Sequence, residues 1–146
     1  MPLHRELHLL SPKTNEKCLN FLTECQVQGL PVLIVETLRE GSVQLAYFAQ
    51  GENRCKLPEI NNLRERAGLW KLTEDEATST VTWTMTQSKH LTGDAFDVVP
   101  LDAEGKPWWK APDSVWEKLA CAGERVGLSP GRRWKNKDSP HMENIA

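Results

Sequence analysis

The chain carries one dense group of residues suited to chemistry, Ser88-Lys89-His90-Leu91-Thr92-Gly93-Asp94-Ala95-Phe96-Asp97. It sets an imidazole and a carboxylate on either side of a glycine. A second imidazole, His141, follows Asp138-Ser139-Pro140 near the C-terminus. Two histidines and one carboxylate are a common protein ligand set for a catalytic zinc, with water in the fourth place. Zinc makes no strong directional demand, so its ligands can come from distant parts of a chain. The pattern therefore points to a zinc hydrolase, with Zn²⁺ as cofactor and His90, Asp97 and His141 as candidate ligands.

Asp138 stands three residues before His141, close enough to sit just outside a metal's ligand sphere. A hydrolase of this kind needs a base to take the proton of the attacking water and hand it to the leaving amine. Pro140 fixes its own φ and stiffens that segment. The competing reading is an exposed aspartate in a polar tail. Glu143 is a second candidate for the base, or for orienting a ligand histidine. Gly93 permits the tight turn that brings Asp97 back towards His90, and the Ser88 hydroxyl can hold the loop or a ligand. Arg39 follows an apolar run, where side chains commonly reach a cleft. Position alone favours a solvated arginine beside Glu40. His4 and His8 lack company that would complete a site and are read as surface or packing residues.

These residues need a scaffold. The chain has 146 residues, the usual size of one domain, and enough to bury a sizeable core. No linker, repeat or low-complexity run divides it, so 1–146 is expected to be one catalytic domain without a separate wall-binding domain. With 18 Lys+Arg against 20 Asp+Glu, the charge of -2 gives no sign of a nucleic-acid or membrane-surface binder. No apolar run reaches the roughly 20 residues of a membrane span. The N-terminus lacks the basic-then-apolar order of a signal peptide. Synthesis in the cytoplasm is expected. Cys18, Cys25, Cys55 and Cys121 form no C-x-x-C pair, and Cys18 and Cys25 read as small buried hydrophobes on one helix face.

The spacing predicts a helix opened by Ser11-Pro12, carrying Cys18, Leu19, Phe21, Leu22 and Cys25 and closed by Gly29. A buried strand is expected over Pro31–Glu36. Ser42 is expected to cap a short helix running to Gln50, with Leu45 and Phe48 inward and Gly51 ending it. Asn62–Ala67 suggests a turn or two of helix, and Thr73 with Glu76 a capping box. Strands are expected at Thr80–Thr84 and Asp94–Val99, the second with Ala95, Asp97 and Val99 on one face. A last helix opens at Pro112-Asp113-Ser114, buries Trp116, Leu119, Ala120 and Gly123, and closes at Gly127.

The pattern Ser88-x-His90-x-x-Gly93-x-Ala95-x-Asp97, followed by Asp138-x-x-His141, resembles the zinc peptidases of the VanY-like D-Ala-D-Ala carboxypeptidase family. It is more closely similar to the phage L-alanyl-D-glutamate endopeptidases, which act as endolysins. Val81-Thr82-Trp83-Thr84, Asp97-Val98-Val99-Pro100, Glu36-Thr37-x-Arg39 with Gln44, and Trp134-Lys135 contribute to that likeness, which runs from about Leu9 to Glu143. The resemblance implies His90, Asp97 and His141 as zinc ligands and Asp138 as general base and acid. It implies Arg39 as the polarising, oxyanion-stabilising group. It also implies a small α+β fold, an antiparallel sheet with packed helices shared with hedgehog-type domains. The implied substrate is the peptidoglycan stem peptide, cut by a monomer that reaches the wall through a holin-type pore. A D-Ala-D-Ala carboxypeptidase or dipeptidase is the near alternative, and a non-catalytic zinc-binding wall module the distant one. One departure stands out. Such endolysins often carry a Trp-Gly pair before the last segment; here Ser129-Pro130-Gly131-Arg132 stands there, with a shorter spacing to Asp138.

Overall fold

The computed structural model describes residues 3–50, 55–79, 82 and 88–145. Its centre is a four-stranded antiparallel sheet in the order β1-β2-β4-β3, made of β1 (Val32–Glu36), β2 (Ala95–Pro100), β3 (Leu128–Pro130) and β4 (His141–Asn144). Two long helices, α1 (Pro12–Val27) and α5 (Asp113–Arg125), pack on the sheet. Three shorter ones, α2 (Gly41–Ala49), α3 (Leu57–Arg66) and α4 (Glu74–Ala77), lie between β1 and β2 in the chain. This is the α+β architecture expected from the sequence. No described helix is long and apolar enough to cross a membrane.

Alternation along β2 divides the sheet into two faces. Phe96 pairs with Met142, and Phe21 of α1 meets Phe96 ring to ring at 5.7 Å between centroids. Leu119, Ala122 and Leu128 join Phe21, Phe96 and Met142 in the main core. Cys18 and Cys25 belong to this core, and burial pushes both thiols up to about 12. The other face carries a polar row. Glu36 is paired with Asp97, and Asp97 with His141, so three strands bring three polar side chains side by side. An irregularity between Ile34 and Glu36 shifts the β1 register and sets Glu36 opposite Asp97.

Several local expectations hold. α1 begins with Pro12 in its first turn, Thr73 and Glu76 form the reciprocal capping box, and Trp116, Leu119, Ala120 and Gly123 face inward. Others need correction. Leu45 is 39 % exposed, because the buried side of α2 is Val43, Gln44, Ala46, Tyr47 and Ala49. Leu19 on α1 is likewise outward. Ser42 lies inside α2 and Glu40 takes the cap position, while α3 begins at Leu57 instead of Asn62. The strand expected over Thr80–Thr84 lies outside the described residues except for Thr82.

Candidate metal centre

His90 sits in a single 3-10 turn, Lys89–Thr92. The Ser88 hydroxyl opens the turn by accepting from the His90 backbone N–H at 3.3 Å. Gly93 ends it in the left-handed region, at φ 76°. A Cβ there would stand 2.8 Å from the Leu9 carbonyl oxygen and 3.1 Å from the Ser11 nitrogen, so both conformation and space require glycine. The chain then turns directly into β2 and presents Asp97. This is the return that the spacing predicts. Asp94 anchors the turn to α1, accepting from Thr92 Oγ1 at 2.6 Å and Ser11 Oγ at 2.7 Å.

His90 is almost fully buried, and its Nδ1 lies 2.9 Å from the Thr37 carbonyl oxygen. A carbonyl can only accept, so Nδ1 carries the hydrogen. Thr37 is itself fixed, its N–H donating to the His4 carbonyl at 2.7 Å and its hydroxyl to the Glu6 carbonyl at 3.1 Å. The Arg39 backbone N–H donates to the His90 carbonyl at 2.9 Å. The segment 37–39 thus grips His90 from two sides. His4, expected to be a bystander, contributes through its backbone.

Nε2 of His90 faces Asp97 Oδ1 at 3.1 Å. On the far side, His141 Nδ1 lies 3.5 Å from the same oxygen, while its Nε2 donates to Glu143 Oε1 at 2.8 Å. Glu143 is held by Lys89 at 3.2 Å. The two imidazole rings meet edge to face, 5.0 Å apart, and Trp134 covers His141 at 4.8 Å. One donor atom from each of His90, Asp97 and His141 lies within 4.8 Å of the other two. Tetrahedral zinc with bonds of about 2.1 Å would hold its donors roughly 3.4 Å apart. The separations of the two imidazole nitrogens from Asp97 Oδ1, 3.1 and 3.5 Å, bracket that value.

The electrostatics also ask for a cation. With Nδ1–H committed to Thr37, His90 directs its other nitrogen, Nε2, at a carboxylate oxygen 3.1 Å away. Two lone pairs at that separation repel unless a proton or a metal ion stands between them. Burial would push Asp97 up, but the imidazoles of His90 and His141 outweigh it and hold the carboxyl far below its usual range. Burial would push His141 down, but its hydrogen bonds to Asp97 and Glu143 outweigh that and raise it to about 9. Each histidine has its outer nitrogen fixed, one by a carbonyl and one by a carboxylate, the arrangement typical of metal-ligating imidazoles. The nitrogen and oxygen donors suit zinc.

Asp138 stands beside this group. Burial, and then the negative charge of Asp97, raise its carboxyl above the usual range. Its backbone carbonyl accepts from the His141 N–H at 3.1 Å, which closes a short turn between the two residues. Arg39 is buried below. Its guanidinium bonds Glu36 through Nε at 3.2 Å and Gln44 through Nη1 at 2.9 Å, rests on the Tyr47 ring at 4.8 Å, and approaches Asp97 Oδ2 at 3.7 Å. The solvated arginine favoured by position alone is therefore not what the structure shows. Two carboxylates, Glu36 and Asp97, face this one guanidinium. Sequence reasoning missed the Thr37 carbonyl, which leaves no side-chain signal. It also missed Glu36 as the partner of Arg39, for which the i,i+3 spacing was a usable signal.

Comparison with known proteins agrees with this picture. The sequence model of the D-alanyl-D-alanine carboxypeptidase family matches residues 82–144, the segment that carries His90, Asp97, Asp138 and His141. A search of the curated proteins returns no significant match. Among solved structures, the chain is similar in fold to the L-Ala D-Glu endopeptidase ChiX of Serratia marcescens, with TM-score 0.60, 23% identity, and coverage of 95% of this chain and 83% of that one. It is also similar to a mutant of the vancomycin resistance D,D-pentapeptidase VanY in complex with Zn(II), with TM-score 0.56, 13% identity, and coverage of 94% and 73%. DacB from Streptococcus pneumoniae gives TM-score 0.54 at 17% identity, covering 99% of this chain and 72% of that one. The resemblance to the VanY-like zinc peptidases thus holds in sequence over the C-terminal segment and in fold over nearly the whole chain.

Proposed function

We propose that the protein is a zinc-dependent peptidoglycan peptidase that hydrolyses the L-alanyl-D-glutamate bond of stem peptides, an endolysin-type activity. The observation that carries the reading is the cation-seeking contact of His90 Nε2 with Asp97 Oδ1, with His141 closing the set. His90, Asp97 and His141 would hold zinc, which when bound supplies Lewis-acid activation of water and of the scissile carbonyl. Asp138 takes a proton from the attacking water. It returns that proton to the amine as the C–N bond breaks, and its raised proton affinity suits both halves of the transfer. Arg39, a buried positive charge beside Asp97, supports the developing oxyanion. Glu143 and Thr37 orient the two imidazoles.

Fold likeness to ChiX supports the endopeptidase bond, and the match to the D-alanyl-D-alanine carboxypeptidase family over residues 82–144 supports the alternative, a D-Ala-D-Ala carboxypeptidase. Digestion of purified peptidoglycan with mass spectrometry of the products separates them. New N-terminal glutamate is the expected result. Release of free D-alanine would establish the alternative, and no cleavage by zinc-loaded protein would sink both. Zinc should bind at one ion per chain. Full stoichiometric zinc in a His90→Ala, His141→Ala double variant would overturn the ligand assignment.

A further inference from the structure

The turn that carries Asp138 and His141 rests on a cradle formed where the sequence departs from the endolysin pattern. Residues Gly131–Arg133 make a 3-10 turn directly after β3. The Gly131 carbonyl accepts from the Asp138 N–H at 3.0 Å and from the Trp134 N–H at 3.1 Å. A Cβ on Gly131 would lie 2.5 Å from the Asp138 carbonyl oxygen, 2.9 Å from His141 Cβ and 3.2 Å from Asp138 Cβ. Gly131 is not among the glycines with positive φ, so its backbone would accept any residue. Glycine is required there by the close approach alone, and the atoms it admits belong to the proposed base and the proposed third ligand.

Arg132 ties the cradle to the helix layer. Its guanidinium, 9 % exposed, bonds Glu117 of α5 at 3.2 Å, lies 3.6 Å from Asp113, and reaches the Ser139 hydroxyl at 3.4 Å. Ser139 is the residue between Asp138 and Pro140. Trp134 leaves the cradle to cover the His141 ring. The segment 131–134 therefore touches the 138–141 turn by backbone, by guanidinium and by indole.

We infer that Gly131 and Arg132 are positioning residues, which set the distance of His141 and Asp138 from the His90–Asp97 pair and so fix metal affinity without touching the metal. The inference rests on the zinc reading above. Gly131→Ala pushes the 138–141 turn away from its seat. Zinc affinity, measured by competition with a chromogenic chelator, should fall by roughly 10- to 100-fold, the range seen when a ligand's outer support is lost. A melt of the metal-free protein beside it separates this from simple destabilisation, because affinity is read on folded protein only.

A second readout does not need zinc. The ring current of Trp134 sets the imidazole proton shifts of His141, and NMR of the metal-free protein should show them displaced in Gly131→Ala. Displaced shifts with no zinc binding even by the unsubstituted protein would keep the cradle and sink the zinc reading. Unchanged shifts together with unchanged affinity would overturn the cradle. Should Gly131→Ala fail to fold, Arg132→Gln serves, since Glu117 keeps Arg133 at 2.7 Å. It should weaken zinc by a smaller factor and move the same shifts, and the absence of both effects would likewise overturn the inference.

Discussion

The two halves of the candidate centre are built in opposite ways. His90 and Asp97 lie seven residues apart on a segment that carries its own geometry: a serine cap, one 3-10 turn, a left-handed glycine and a strand. Asp138 lies in a short turn, and His141 opens the four-residue strand that follows it. Their position comes from elsewhere, from the register of β4 on β2 and from the Gly131 cradle. The first half writes its shape into consecutive residues, and the second borrows its shape from the sheet and from α5. Substitutions in the first half should therefore act through local folding, and those in the second through geometry and chemistry.

The largest effect belongs to the second half. Asp138→Ala removes a proton carrier and leaves the three metal donors in place. Zinc content should be unchanged while activity falls by about 10²- to 10⁴-fold, the usual contribution of a positioned acid-base group. A wild-type rate would move that role away from Asp138. Glu143 is then a poor successor, because one of its oxygens already orients His141 and the other pairs with Lys89.

Arg39 lies beneath both halves and is the next test. Arg39→Ala and Arg39→Lys should lower kcat by roughly 10- to 1000-fold, bracketing the loss of one oxyanion donor. Lysine keeps the charge but cannot reproduce the fork that meets Glu36 and Gln44 together. The structure adds a consequence for stability. Glu36 is buried, so losing its guanidinium partner should cost Arg39→Ala about 3–5 kcal/mol. The double variant Glu36→Gln, Arg39→Met removes both charges and should recover much of the melting temperature without recovering activity. Activity that returns in step with the melt would make Arg39 purely structural.

The same contrast explains what could be read in advance. The Ser88–Asp97 segment, α1, α5 and the Thr73–Glu76 capping box were legible because their signals are local: caps, glycines and periodicity. β3 and β4 were not. They are three and four residues long, one contains Pro130, and only pairing with β2 and with each other makes them strands. α2 misled for a related reason. Leu45 is the more apolar residue, yet Gln44 is the buried one, because it serves Arg39 and Thr82 at 2.9 and 3.0 Å. The departure at Ser129–Arg132 was visible in the sequence, but its meaning was not. A glycine required by close approach, with no demand on φ, leaves no sequence signature.

The smallest effect tests the self-contained half. Asp94 fastens the His90 turn to α1, and hydrogen bonds from Thr92 and Ser11 hold its carboxyl below the usual range. Its folded-state value is therefore depressed relative to an unfolded value of about 3.9. The stability it contributes is fully present above that unfolded value and is lost as pH falls through the folded one. Asp94→Asn keeps the shape and removes the charge, and Asp94 is partly exposed, so the cost at pH 7 should be modest, about 1 kcal/mol. Urea unfolding of metal-free wild type and variant at pH 7 and at pH 3 checks the sign. The gap should be present at pH 7 and narrower at pH 3, which lies below the unfolded value, so that the unfolded wild-type chain takes up a proton there that the folded carboxyl resists. A gap of equal size at both values would mean that the cost comes from the lost second acceptor oxygen, which receives one of the Ser11 and Thr92 hydrogen bonds, and not from the charge. Zinc affinity at pH 7 should change little, because Ser88, Gly93 and Thr37 still hold His90; a large loss would show that this half, too, takes its geometry from a distant helix.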